Sequence, residues 1–142
     1  MEYASSAWDP FLASDIHNIE MVQRRASRFI CNKFSREESV SLMLKDLSLP
    51  PLKRRREMAR LKLFYKIDSK LIPLLVPDDL QPKANNGRMD NGKAYVHFAS
   101  HSNPFFSSFY PKTVRDWNGL SNECVHAPSL GAFANRIKES IG

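Results

Sequence analysis

Cysteine is scarce in this 142-residue chain, with only Cys31 and Cys124. Two thiols so far apart offer neither metal-ligand spacing nor a disulfide framework. Both are expected to be free, as in a reducing compartment. Glycine is scarce too, at five residues, which argues against a turn-dense β architecture. No apolar run approaches the length that spans a bilayer. Near the N-terminus Glu2 and Asp9 stand where a signal peptide would need a basic stretch followed by an apolar one. These absences imply an intracellular protein, nuclear or cytoplasmic, with no membrane partner.

The signatures of catalysis are missing as well. There is no P-loop, no dinucleotide fingerprint, no HExxH and no Cys-x-x-Cys. The four histidines, His17, His97, His101 and His126, are scattered. His97 and His101 would share a helix face, but no third ligand lies near, and zinc needs three or four. Surface histidines are expected. Asp78-Asp79 is the one adjacent aspartate pair. It lies among prolines, away from any phosphate-binding loop, and reads as a solvated helix N-terminus before Leu80. No catalytic residue, metal ligand or cofactor is therefore expected in this chain.

What is present is positive charge, and it is placed unevenly. The formal net charge is +6 and the isoelectric point about 9.5. Residues 1–72 hold 14 Lys/Arg against 9 Asp/Glu, whereas residues 73–142 hold 7 against 6. A basic domain suits nucleic acid or an acidic protein.

Apolar periodicity predicts a mostly helical fold. A helix is expected over 14–31, with Ser14 as its cap and Asp15 in its first turn. Its buried face would be Ile16, Ile19, Val22, Ala26, Phe29 and Ile30, with Arg24, Arg25 and Arg28 opposite and Asn32 ending it. A second helix is expected over 36–47, capped by Ser35, with Val40, Leu44 and Leu47 buried. The longest is expected over 51–72, opening on Pro51. Its apolar residues fall on two sides, so it should pack in the middle of a bundle. Arg55, Lys62 and Lys66 align on one stripe of it. Residues 73–104, with Pro73, Pro77, Pro82, Asn85-Asn86-Gly87 and Asn91-Gly92, read as a linker with a short strand at 94–98. Phe105–Tyr110 is expected to be extended, followed by a short helix from Pro111 to Trp117 and a last one from Pro128-Ser129 to about Ser140. This divides the chain into a basic helical segment (1–72), a linker (73–104) and an aromatic-rich helical segment (105–142).

The basic clusters are the strongest functional signal. Arg24, Arg25 and Arg28 form one patch; Lys53, Arg54, Arg55 and Arg56 form a run, continued by Lys62 and Lys66. Such cations bind phosphate backbones by counterion release, and Arg adds a planar fork. Three readings stand for them: a nucleic-acid interface, a nuclear import signal at Lys53–Arg56, or a solvated face with ordinary pairs. The rings of Phe105, Phe106, Phe109, Tyr110 and Trp117 invite base stacking. Only Lys112 and Arg115 lie near them, so core packing is the expectation.

Several blocks together resemble a known family. MEYASSAWDP (1–10), IEMVQRRASRFI (19–30), REESVSLMLKDLSLPPLKRRREMARLKLFYKI (36–67), FYPKTVRDWNGL (109–120) and APSLGAFANRI (127–137) are similar, in order and spacing, to the post-polymerase tail of jockey-like non-LTR (LINE-type) retrotransposon reverse transcriptases. The resemblance implies a parent RNA-directed DNA polymerase whose magnesium-binding palm lies upstream and is absent here. It implies a non-catalytic thumb or tail segment without a cofactor of its own. Arg24, Arg25, Arg28 and Lys53–Arg56 occupy matching positions, so RNA or an RNA–DNA duplex is the implied partner. Docking on a polymerase core is the alternative, and a remnant without independent function is another.

Overall fold

The computed structural model describes residues 4–6, 9–35, 37–84, 91–99 and 102–140. Within them the protein is mostly α-helical. The helices are α1 (Ala13–Ile30), α2 (Val40–Asp46), α3 (Leu52–Asp68), α4 (Asn103–Phe106), α5 (Phe109–Asn118), α6 (Asn122–Val125) and α7 (Leu130–Ser140). The chain forms two compact units, 10–56 and 1–9 with 57–142, and the division falls inside α3. These units cut across the segments expected from composition. The cause is packing: α3 residues from Met58 onward share a core with residues of α5, α6 and α7.

α1, α2 and α3 stop in the same way. Asn32, Ser48 and Lys70 take a left-handed conformation, with φ of 52°, 53° and 54°. The next N–H then reaches back five residues: Lys33 to Arg28 at 3.0 Å, Leu49 to Leu44 at 2.8 Å, Leu71 to Lys66 at 2.8 Å. This caps the last carbonyls of each helix. Glycine normally fills such positions, and a side chain there costs about 1 kcal/mol. Lys70→Gly is therefore expected to stabilise the protein by about 1 kcal/mol, read as a higher midpoint in urea. An unchanged or lower midpoint would show that the Lys70 side chain contributes more than its backbone costs.

In the unit of residues 10–56, α1 packs on α2, but by a different face from the one its apolar pattern predicts. Gln23 and Ser27 are buried, whereas Val22, Ala26, Phe29 and Ile30 are exposed. Polar ties turn the helix. Glu20 accepts the N–H of Lys53 at 2.9 Å, capping the start of α3 with a carboxylate. Gln23 donates to the Pro50 carbonyl at 3.2 Å and accepts from Arg55 at 3.4 Å. Glu20, Gln23 and Ser27 share one side at i, i+3 and i+7, and that side faces inward. α2 is shorter than expected and starts after Ser39. It buries Met43, with Val40, Leu44 and Leu47 half-buried.

The second unit is built on aromatic side chains. Phe64 of α3 meets Tyr95 edge-on at 5.3 Å and Trp117 at 5.0 Å. Trp117 meets Phe133 at 5.7 Å, and Phe133 stacks on Tyr65 at 4.6 Å. Leu61, Val114, Val125 and Ile137 fill the remaining core. The two-sided α3 buries one apolar side at Met58, Leu61 and Tyr65 and the other at Phe64 and Ile67, with Leu63 half-buried there and Leu71, beyond the helix end, exposed. Phe105–Tyr110 is not extended: it holds the end of α4 and the start of α5, joined by a turn at Ser107-Ser108. Ser102 and Ser108 stand at helix starts, and Pro104 sits in the first turn of α4, where it is tolerated. Ser121 accepts the N–H of Cys124 at 3.4 Å, and Ser129 that of Ala132 at 3.2 Å, fixing the starts of α6 and α7. Asp78-Asp79 lies in a turn closed by Leu80 N–H to Pro77 O at 3.0 Å, not at a helix start.

The expected strand at 94–98 is reduced to a single antiparallel bridge between Pro82 and Tyr95. Side chains complete it. Asn118 receives the Tyr95 N–H at 2.9 Å and donates to the Tyr95 carbonyl at 2.8 Å, standing in for a neighbouring strand. Trp117 donates to the Lys93 carbonyl at 2.9 Å. The Tyr95 hydroxyl donates to Asp68 at 2.7 Å, and Lys93 pairs with the same carboxylate at 3.1 Å. Burial, together with the Asp68 hydrogen bond and charge, pushes the Tyr95 phenol well above the ordinary tyrosine range. Asn85-Asn86-Gly87 lies outside the described residues.

Candidate nucleic-acid interface

Within residues 10–56, three helices converge on an open groove of about 670 Å³. α1 contributes Glu20 and Arg24; α2 contributes Ser41, Leu44 and Lys45; α3 contributes Arg54. Ser48, Leu49, Pro50 and Pro51 complete the lining. The floor is aliphatic and the rim carries three cations. Glu20 is the one acid in the lining, and its carboxylate is already turned to the N-terminus of α3. An aliphatic floor rimmed by cations suits an anionic ligand with an apolar body.

The expected site residues divide. Arg24 and Arg54 come together in this groove although 30 positions apart in sequence. Arg25 and Lys53 are exposed and do not line it. Arg28 donates to the carbonyls of Phe34 and Ser35, both at 3.3 Å, and so holds the chain that follows α1. Arg55 is half-buried and bonded to Gln23. Arg56 corrects the expectation: it is 2% exposed and cannot offer its guanidinium to a phosphate backbone. The four-residue run crosses the inner side of a helix, and one member must point inward. Lys62 and Lys66 are half-buried and belong to the other unit.

Sequence reasoning missed two features. Lys45 stands alone in α2 and carries no cluster signal. Arg60 is 2% exposed. It donates to Asp9 at 2.8 Å and also pairs with Asp116. Lys112 shares Asp9. The clue was positional: Arg60 follows Arg56 and precedes Phe64 by one helical turn each, on a side that is inward at both ends.

The C-terminal rings are split between core and surface. Trp117 is fully buried, Phe109 and Tyr110 are half-buried, and Phe105 and Phe106 are exposed. The Arg115 guanidinium lies 4.9 Å from the Phe106 ring centre, a cation–π contact. Cys31 and Cys124 are both free thiols. His17, His97 and His126 are exposed, and His101 lies outside the described residues. Among the described residues, no three His, Cys, Asp or Glu side chains group to hold a metal ion. None of the described helices is long and apolar enough to cross a membrane.

No protein-family model, curated protein or solved structure matches the chain.

Proposed function

We propose that this chain is a non-catalytic segment that binds nucleic-acid backbone, of the kind that closes a retrotransposon RNA-directed DNA polymerase and helps hold its template–primer or its element RNA. The observation that carries the reading is the meeting of Arg24, Lys45 and Arg54 around one groove from three helices. The order of sequence blocks resembling such tails supports the choice of family. Cations spaced around an apolar floor give affinity with strong salt dependence and little sequence preference.

The test is binding of the purified chain to a fluorescent single-stranded RNA, an RNA duplex and an RNA–DNA hybrid across a salt titration. Three phosphate contacts predict a log–log salt slope of about −2 for a single strand and about −3 for a duplex. The variant Arg24→Glu/Arg54→Glu is expected to weaken binding by more than about tenfold and to flatten the slope. Both positions are reversed in place, and circular dichroism reports whether the helices persist. Undiminished affinity in a folded variant would remove the groove from the function.

A further inference from the structure

We propose that the outer face of α1 is the interface of an antiparallel pair of two copies of this chain. The stripe that α1 and the two residues before it leave uncovered carries Phe29, Ile30, Leu12, Val22 and Phe11 at 77%, 62%, 50%, 48% and 46% exposure, with half-buried Ile19 beside them. From Leu12 to Ile30 it runs about 27 Å at the helical rise. At 150–250 Å² for a large side chain, the five exposed residues offer roughly 500 Å² of apolar surface. That is as large as the largest patch on a typical monomer. Two copies together would bury roughly 1,000 Å², the area at which a specific interface begins, before flanking atoms are counted.

Charge selects the occupant. Residues 10–56 hold ten Lys/Arg against five Asp/Glu, which by itself disfavours self-association. Along the stripe, however, the charges are polarised. Asp15 is exposed at the N-terminal end and Arg25 is exposed toward the C-terminal end. A two-fold pair must be self-complementary, each residue meeting its counterpart twice. An antiparallel pairing meets this condition in one register. With Leu12 against Phe29 and Ile19 against Val22, Asp15 falls opposite Ala26 of the second copy, next to its Arg25. The same register matches both the charges and the apolar side chains. A lipid surface fits less well, because Asp15 interrupts the stripe and would be carried into the apolar layer.

The inference does not rest on the nucleic-acid reading. Val22 and Arg24 point roughly 160° apart around the helix, so pairing through the stripe leaves the groove open. Sedimentation of the full chain over a wide concentration range tests it. The expected result is a reversible monomer–dimer equilibrium. Phe29→Ser, at an exposed position, is expected to abolish the dimer without loss of helicity. Asp15→Arg and Arg25→Asp are each expected to weaken it about tenfold, and the swap of both in one chain to restore it. A chain that stays monomeric throughout overturns the proposal and leaves the face to another protein. A dimer indifferent to Phe29→Ser, or a swap that fails to restore pairing, overturns it as well.

Discussion

Trp117→Ala is expected to destabilise the protein by about 4 kcal/mol, the usual cost of emptying a buried Trp site. The ring is fully buried and touches both Phe64 and Phe133, so its loss breaks the aromatic chain in the middle. Its N–H also holds the Lys93 carbonyl, which would be left without that donor at an added cost of about 1 kcal/mol. Asn91, which donates to the Trp117 carbonyl at 2.8 Å, stays in place because that bond uses main chain. Urea denaturation followed by far-ultraviolet circular dichroism would measure the change. Trp117→Phe keeps a ring between its neighbours and is expected to cost less than half as much. A loss under about 1 kcal/mol for the alanine variant would show that the site collapses around the cavity, contrary to the packing described.

The second large effect concerns Arg60. Its guanidinium is buried between Asp9 and Asp116. Removing both acids, as Asp9→Ala/Asp116→Ala, strands a buried cation and is expected to cost roughly 3–5 kcal/mol. Removing the cation, as Arg60→Met, is expected to cost far less. The methionine fills much of the same volume. Asp9 keeps Lys112, and Asp116 keeps Arg115 at 3.8 Å. The asymmetry is the result to look for in paired denaturation curves. Equal losses for the two variants would mean that the ion pairs themselves, rather than desolvation of Arg60, dominate the energetics.

The helical class was legible because its determinants are local. Apolar spacing marks the helices of 13–30, 52–68 and 130–140, and Asn32 ends the first where it was expected to. The two apolar sides of α3 announced a helix buried on both. Periodicity did less well on α1. There the apolar arc and the packed arc differ by about a quarter turn, because Glu20 and Gln23 bond to the start of α3. Hydrogen bonds to a segment some thirty positions away leave no trace in a local pattern.

The basic patches show the same limit. Sequence alone determined that the first half is cationic, that the arginines of its two clusters sit on helices, and that the chain carries no P-loop, dinucleotide fingerprint, HExxH or Cys-x-x-Cys. It could not sort one arginine from the next. Arg54 lines a groove, Arg55 is bonded to Gln23, Arg56 is buried, and Arg60 is locked to carboxylates at positions 9 and 116. Which cation meets solvent is decided by the direction of a side chain and by the neighbours that tertiary packing brings to it. The first depends on the rotation of a helix about its axis, and the second on contacts between distant segments. Only the folded chain determines either one.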